Sequence, residues 1–241
     1  MAAAGYGRSV EGIHAVAAAL AAGRVEKLFV EKRRRGRMGP LLEALDEPIV
    51  EFVDDVRPMA ETDAPQGVVA RCRPIQPVTL ESLAGDHAAI LVLDHVEDPH
   101  NVGAVARSAL AAGIEGLVVS ERRAAPLSAT TFKSAAGALE RLPVAIVGSI
   151  PEALSRLKGH GVWIVGLDSG ADQSLFGLDL LTEPVAVVVG AEGEGLAELT
   201  RKRCDVLVSI PMAEGTESLN ASVSAALASF EIMRVRNGAL G

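Results

Sequence analysis

Six short apolar runs after residue 88 restrict the fold of this chain more than any other feature. They occupy residues 89–94, 116–120, 143–148, 162–168, 184–190 and 206–211, and helical stretches lie between most of them. Strands that are apolar on both faces and alternate with helices are typical of a parallel sheet covered by helices on each side. The sequence therefore predicts an α/β fold with a parallel sheet, in which ligands bind beyond the carboxyl ends of the strands.

The chain before residue 75 has a different pattern and is predicted to form a separate, small α/β unit. Residues 12–23 have helical spacing, and Gly23 is expected to end the helix. Its predicted apolar face consists of Ile13, Val16, Ala17 and Leu20. Two short strands are predicted at residues 27–31 and 68–72, and the following stretch carries Pro74 and Pro77. We therefore predict a domain over residues 1–74, a linker over 75–87 and a second domain over 88–241.

Charge is distributed unevenly along the chain. The net charge is −8, yet residues 1–77 hold 11 Lys and Arg residues and 11 Asp and Glu residues. Within that part, five cations fall in six positions: Lys32, Arg33, Arg34, Arg35 and Arg37. Such a run is either a solvated loop or a surface that contacts nucleic-acid phosphates. It is the chain's only candidate for a phosphate-contacting patch.

Composition excludes several classes of protein. Aromatic residues make up 3% of the chain, which argues against an RNA surface that stacks bases on aromatic rings. Cys72 and Cys204 are too few for a disulfide framework or a Cys-rich zinc site, and no metal site is predicted. No apolar run approaches the roughly 18 residues of a membrane span, and no signal peptide is evident. We expect a cytoplasmic protein that does not enter a membrane.

Three polar or glycine-rich loops follow predicted strands, and the first opens a helix near residue 101. Asn101 occupies a natural N-cap position behind Pro99. Val102, Val105, Ala106, Ala109 and Leu110 form the predicted core stripe of the helix, and Arg107 points away from it. Taken alone, this segment is also compatible with an ordinary capped helix that carries a surface arginine.

The second loop, residues 190–196, places Gly190, Gly193 and Gly195 within six positions. Glycines let the backbone approach a ligand closely or adopt positive φ. Their spacing is not that of the dinucleotide fingerprint, and the chain has no Walker A motif. Glu192 and Glu194 would repel a pyrophosphate but would tolerate a cationic ligand or one bound through adenine and ribose. A plain strand-to-helix turn is the alternative.

The third loop, residues 210–220, ends a strand and opens the last helix. The predicted buried stripe of that helix is Leu219, Val223, Ala226, Leu227 and Phe230. Ser218 and Asn220 are suitable caps for its first N–H groups. Two polar residues around Leu219 are more than capping alone requires.

Together, in this order, the three loops resemble the SpoU/TrmH branch of the SPOUT RNA 2′-O-methyltransferases. The family pattern N-x-G-x-x-x-R matches residues 101–107, and G-x-E-G-x-G matches residues 190–195. The third pattern, I-P-M followed by S-L-N-x-S-V, matches residues 210–212 and 218–223. Residues 7–16 and 65–74 also resemble the ends of the L30e-like substrate-binding domain of RlmB-type 23S rRNA guanosine methyltransferases. Two departures are Glu214, where the family usually has Gly, and Pro65, where it usually has His.

The resemblance implies a parallel α/β domain with a C-terminal deep trefoil knot, preceded by a small L30e-like α/β domain. It implies S-adenosylmethionine (SAM) as cofactor, with the cofactor-binding residues Gly190, Gly195, Ile210, Met212 and Leu219. By the same resemblance, the catalytic residues are Arg107, Asn101, Glu192, Ser218 and Asn220. Arg107 would activate the ribose 2′-hydroxyl, and we favour electrostatic activation because guanidinium rarely loses its proton. The implied partners are RNA, contacted by the Lys32–Arg37 run, and a second copy of the chain.

The favoured function is therefore SAM-dependent 2′-O-methylation of a guanosine in 23S rRNA. Methylation of a tRNA guanosine, or rRNA methylation that confers antibiotic resistance, uses the same chemistry, but the N-terminal domain favours rRNA. A non-catalytic RNA-binding assembly factor would not need the full set of motif residues. A nucleotide-dependent oxidoreductase would need the fingerprint that is missing.

Overall fold

The computed structural model of the chain describes residues 5–39, 49–213 and 218–239. The described strands are β1 Ser9–Glu11, β2 Val25–Glu31, β3 Val50–Val53, β4 Val68–Cys72, β5 Ala89–Leu93, β6 Gly116–Ser120, β7 Val144–Val147, β8 Trp163–Leu167, β9 Val185–Val189 and β10 Val206–Val208. The described α-helices are α1 Ile13–Ala21, α2 Pro99–Ala111, α3 Ala129–Ala135, α4 Ile150–Gly159, α5 Glu198–Arg203 and α6 Ala221–Ala239. Short 3₁₀ helices include Lys32–Met38 and Ala138–Glu140.

The C-terminal sheet is parallel and contains all six predicted strands. Its order is β10-β8-β9-β5-β6-β7, and each neighbouring pair runs in the same direction. The central strands β5 and β9 are buried along their whole length, which explains why their sequences are apolar on both faces. The carboxyl ends of β5, β9 and β10 lie on one edge of the sheet, so the three loops noted in the sequence start from the same side.

The N-terminal sheet has the order β1-β4-β2-β3 and packs against α1. Strands β2 and β4 cover the two predicted strands, and Gly23 adopts φ +66° just after α1, as expected of a glycine that ends a helix. The two other strands, β1 and β3, are three and four residues long and had no signal in the sequence. The part of the chain before residue 75 is therefore an α/β unit, as predicted.

The two units share one hydrophobic core, and a buried ion pair joins them. Phe132 of α3 is fully buried and lies so close to Gly7 that a Cβ there would come within 2.4 Å of its ring. Arg24 donates from Nε to Glu140 Oε2 at 2.6 Å, and from Nη1 to the Gly7 carbonyl at 2.6 Å. Burial is the largest single influence and disfavours the charge of Arg24, but the hydrogen bond to Glu140 and the negative charge of that carboxylate together raise the pKa of Arg24. The N-terminal unit is therefore held directly against α3.

The predicted linker follows the edge of the C-terminal sheet. Val78 N donates to the Val144 carbonyl at 3.0 Å, and Leu83 is buried against Gly116. These contacts continue the shared packing between the two units. The boundaries at residues 74 and 88 remain a prediction.

Within the described residues, none of the helices has the length and apolar character needed to cross a membrane.

The predicted buried stripe of the last helix is wrong. In α6 the buried apolar residues are Ala221, Ala225, Ala228 and Ile232. Val223 and Phe230 are instead 45% and 44% exposed, and Leu219, Ala226 and Leu227 are only partly buried. Small alanines let α6 approach α2 closely, which rotates the larger apolar side chains of the helix outward.

Candidate active site

Asn101 lies inside the first turn of α2 and is not its N-cap, so the capping prediction is wrong. The cap is Asp98, whose carboxylate accepts from His100 N at 2.9 Å, and Pro99 takes the first helical position. The Asn101 side chain is thereby free for other contacts. The predicted core stripe of α2 is confirmed: Val102, Val105, Ala106 and Ala109 are buried and Leu110 packs against the same core.

Asn101, Glu192 and Asn220 form one hydrogen-bonded cluster, although they come from three different loops. Asn101 Nδ2 donates to Glu192 Oε1 at 2.9 Å, and Asn220 Nδ2 donates to Asn101 Oδ1 at 3.1 Å and also to Glu192 Oε1. Asn220 Oδ1 accepts from Ser222 N at 2.8 Å, so Asn220 caps α6 as predicted. Two amides thus hold one oxygen of Glu192, and no described residue binds the other.

A cavity of about 360 Å³ lies beside this cluster, at the carboxyl ends of β8, β9 and β10. All five predicted cofactor-binding residues line it: Gly190, Gly195, Ile210, Met212 and Leu219. Ser218 also lines this cavity and makes no capping hydrogen bond within the described part of the chain. We call it the glycine-loop cavity.

The glycine loop can fold only without side chains at its base. A Cβ on Gly190 would lie 2.2 Å from the backbone of Gly195, and Ala191 exchanges two backbone hydrogen bonds with Gly195 at 3.2 and 3.0 Å. Gly193 and Gly195 adopt φ of +77° and +68°. The backbone of this turn therefore forms part of the cavity wall.

A second cavity, of about 450 Å³, lies on the other side of the loop and holds Asn101 and Glu192 in its wall. Ala191, Glu194 and Ala221 line both cavities, so the two are neighbours across a thin wall. We call the second one the acceptor cavity. Molecules bound in the two cavities would lie on either side of this shared lining, next to Glu192.

Residues not singled out in the sequence also line these cavities. His95 and Arg123 line the acceptor cavity, and both have positive φ, 60° and 51°. In the glycine-loop cavity, Asp168 pairs with Arg201 at 3.0 Å. Cys204 packs against Gly166 in the strand that ends at this cavity, and burial raises its pKa to about 11, so its thiol stays protonated at neutral pH. No short motif marks these positions, because only the fold brings them to the site.

Arg107 stands apart from the other predicted catalytic residues of the same chain. Its side chain is exposed, lines neither cavity and forms no ion pair or hydrogen bond with the residues the structure describes. It lies six positions after Asn101 in the helix, which corresponds to about 9 Å along the axis and a different side of the helix. One chain alone therefore brings together Asn101, Glu192 and Asn220, but not Arg107.

The predicted RNA-binding run lies in the 3₁₀ helix after β2. Lys32 pairs with Asp54 at 2.9 Å, Arg33 pairs with Glu31 at 2.6 Å, and Arg35 stacks 4.7 Å from the Phe52 ring centre. Arg34 forms no such pair with the described residues and lines a third cavity. The Arg37 side chain lies outside the described parts of the chain. So does Glu214, the position where the family usually has Gly.

Comparison with known proteins assigns both units to described families. The SpoU rRNA Methylase family model matches residues 88–230. A second model, for RNA 2′-O ribose methyltransferase substrate binding, matches residues 9–78. The matches together cover most of the chain.

Relatives and solved structures agree with those models along nearly the whole chain. The chain is 39% identical to the 23S rRNA (guanosine-2′-O-)-methyltransferase RlmB of Ralstonia nicotianae, over 94% of this chain and 95% of that protein. It is 38% identical to RlmB of Escherichia coli, over 95% and 98%. The structure of the SpoU methyltransferase AviRb from Streptomyces viridochromogenes in complex with AdoMet aligns with a TM-score of 0.81 at 28% identity, over 95% of this chain and 90% of that one.

Proposed function

The chain belongs to the SpoU rRNA methylase family, and from this premise we propose that it methylates the ribose 2′-hydroxyl of a guanosine in 23S rRNA, with SAM as methyl donor. Curated relatives with that activity share 38–39% of their residues with it over nearly the full length. The observation that carries the proposal is the pair of cavities that share a wall beside Glu192. That arrangement suits transfer of a small group between two bound molecules.

The glycine-loop cavity fits SAM. Its volume of about 360 Å³ is within the range of small-molecule sites. Apolar side chains of Ile210 and Leu219 suit an adenine ring, and the exposed backbone of Gly190 and Gly195 can hydrogen-bond its edge. Met212 adds a further apolar side chain to the lining of this cavity. Bound there, SAM would supply a methyl group activated by its positively charged sulfur.

Glu192 is the residue best placed to handle the acceptor. Asn101 and Asn220 fix one of its oxygens, and no described residue binds the other, so that oxygen is available to a substrate hydroxyl. A carboxylate held in this way can accept the hydrogen bond of a ribose hydroxyl and align its oxygen for attack. Ser218, at the edge of the glycine-loop cavity, would help to orient the same group.

Arg107 would stabilise the negative charge that develops on the 2′-oxygen and would hold a neighbouring phosphate. Because Arg107 lies away from the cavities of its own chain, we propose that the active form is a homodimer in which each site is completed across the interface. The exposed apolar side chains of Val223 and Phe230 on α6 support such an interface, since a partner would bury them.

We propose an L30e-like fold for the N-terminal unit, whose Lys32–Arg37 run binds RNA, and a trefoil knot for the C-terminal segment. Membership of the SpoU family supports the knot, and the match to the substrate-binding model supports the assignment of the N-terminal unit. Ribosomal RNA as substrate implies a cytoplasmic location.

The experiment that tests the function is methyl transfer in vitro. The purified protein is incubated with SAM labelled in its methyl group and with unmodified 23S rRNA or bulk tRNA. We expect label in 23S rRNA, in ribose-methylated guanosine, and none in tRNA. Calorimetry should detect SAM but no saturable NAD or ATP binding at similar concentration. Labelling of tRNA alone, or NAD binding without a SAM signal, would contradict the proposal.

A further inference from the structure

A third cavity, of about 330 Å³, lies in the N-terminal unit, remote in sequence from the catalytic motifs. The 3₁₀ helix after β2 forms one side of it and the turn before β4 forms the other. Its polar lining consists of Glu31, Arg33, Arg34, Arg57, Asp63 and Gln66. We call it the arginine pocket. Its volume is at the lower end of the range for small-molecule sites, which suits a single nucleotide.

Two of the three arginines in the pocket are already engaged by carboxylates. Arg33 Nε donates to Glu31 Oε2 at 2.6 Å, and this hydrogen bond lowers the pKa of Glu31 and keeps it ionised. Arg57 Nε binds both oxygens of Asp55, at 3.0 and 2.9 Å. The guanidinium of Arg34 makes no hydrogen bond or ion pair within the described residues. Arg34 is therefore the cation in the pocket that is free to bind an anion.

The opposite wall is a turn with a fixed, unusual backbone. Gln66 and Gly67 adopt φ of 62° and 79°. Gln66 Oε1 accepts from Ile13 N at 3.1 Å, and Glu31 N donates to the Gly67 carbonyl at 3.0 Å. A Cβ on Gly67 would come within 2.8 Å of Arg34 Cγ, so the absent side chain makes room for the arginine stem. The pocket is therefore formed in advance of binding.

Asp63 gives the pocket a second kind of group. Its carboxylate is exposed and makes no hydrogen bond with the described part of the chain. A free carboxylate repels phosphate but accepts hydrogen bonds from the amino groups of nucleobases. A cation and a carboxylate across one cavity thus match the two ends of a nucleotide.

Helix α3 lies between the surroundings of the pocket and those of the acceptor cavity. Lys133 of α3 donates to the carbonyl of Ala64, next to the pocket wall. The neighbouring Ser134 Oγ lies 3.0 Å from His100 Nδ1, and His100 precedes Asn101. The same helix therefore contacts a residue next to each of the two cavities, and an RNA strand that follows it could extend from one to the other.

We infer that the arginine pocket binds one unpaired nucleotide of the substrate RNA, distinct from the methylated one, with Arg34 on its phosphate and Asp63 on an amino group of its base. The inference rests on the proposed function, because it takes the RNA substrate from it. Within the run Lys32–Arg37, Arg34 is the residue that contacts this nucleotide, and the group it contacts is the phosphate.

The test measures binding of a 23S rRNA fragment at several salt concentrations, after wild-type methylation of that fragment is established. Arg34→Met and Arg34→Gln keep most of the stem beside Gly67. Each should weaken binding about fivefold at physiological salt. The plot of log binding constant against log salt concentration should become less steep by about 0.7–0.9, the value for one lost phosphate contact. Lys27→Met is the matched control, since Lys27 pairs with Glu51 on the same sheet, away from the pocket.

Asp63→Leu distinguishes a base contact from simple charge, because leucine has no oxygen to accept a hydrogen bond. If Asp63 accepts a base amino group, the variant should bind RNA more weakly with an unchanged salt slope. Equal or tighter binding of Asp63→Leu would overturn the assignment of a nucleotide to the pocket. Equal salt slopes for the Arg34 variants and Lys27→Met would overturn the phosphate contact. Both outcomes leave wild-type methylation intact, so they are distinguishable from failure of the proposed function.

Discussion

The side-chain amide of Asn101 donates a 2.9 Å hydrogen bond to the carboxylate of Glu192, 91 positions later in the chain. Asn220 joins the same carboxylate from the start of the last helix. This contact connects the loops after β5, β9 and β10 in a single cluster. Asn101 and Glu192 line the acceptor cavity, which is adjacent to the glycine-loop cavity, so the three sequence motifs meet at one location.

Glu192→Gln should separate chemistry from cofactor binding. The amide keeps the size of the side chain but replaces the free carboxylate oxygen, so we expect methyl transfer to fall roughly 10²–10⁴-fold. SAM affinity should change little, because Glu192 lines the acceptor cavity. Single-turnover methylation and calorimetry measure the two effects. Glu198→Gln, on an exposed carboxylate paired with Lys202, is the control and should behave as wild type. Full activity in Glu192→Gln would show that the Glu192 carboxylate takes no part in the reaction.

Gly190→Ala should abolish SAM binding. The new Cβ would lie 2.2 Å from the Gly195 backbone, so the loop must shift and the cavity wall with it. Calorimetric titration with SAM checks this, and Gly159→Ala, at a position where a Cβ meets nothing within 4 Å, serves as control. Wild-type SAM affinity in Gly190→Ala would show that the cofactor lies elsewhere.

Arg107→Ala should fold normally and bind SAM, since the side chain is exposed and lines neither cavity. Methyl transfer should fall roughly 10²–10⁴-fold, or about 3–5 kcal/mol of barrier. Arg107→Lys should recover little if a forked contact to phosphate and hydroxyl is needed, and much if a point charge is enough. Arg141→Ala, at another exposed arginine, is the control.

If each site is completed across a homodimer interface, two inactive variants should complement each other. Mixing Arg107→Ala with Glu192→Gln should restore activity that neither variant has alone, because one site in a mixed dimer keeps both residues. Mixtures without recovered activity would place Arg107 in its own chain's site, and wild-type rates in Arg107→Ala would make it a plain surface residue.

Glu140→Gln should destabilise the junction between the two units. Removing one partner of a buried ion pair leaves Arg24 with an uncompensated charge, which costs about 3 kcal/mol. The expected fall in Tm is roughly 6–12 °C for a chain of this size. Glu81→Gln, which breaks the exposed pair with Arg156, should leave Tm nearly unchanged. Equal thermal shifts for the two variants would contradict a structural role for Arg24–Glu140.

The parallel sheet could be predicted because β5 and β9 are apolar on both faces, a pattern that depends on local sequence alone. The side of α6 that faces the core could not be predicted. Its many alanines differ little in hydrophobicity, and the contact with α2 decides which side is buried. The role of Asn101 was also hidden. Its spacing suits a helix cap, whereas its actual partners, Glu192 and Asn220, are set by tertiary structure.

The cationic run illustrates the same limit. Its composition predicts a phosphate-binding surface, but only the fold shows that Lys32 pairs with Asp54, Arg35 stacks on Phe52 and Arg34 enters a pocket. The motifs brought together five residues that line one cavity, which is where the sequence predicts the cofactor. Their roles in binding stay predictions.

The most direct test is a nucleotide-resolution map of 2′-O-methyl groups on 23S rRNA from cells with and without the gene. We expect one guanosine to lose its methyl group in cells without the gene, to regain it with the wild-type gene, and not to regain it with Arg107→Ala. An unchanged 23S rRNA map, or a loss confined to tRNA, would contradict the account.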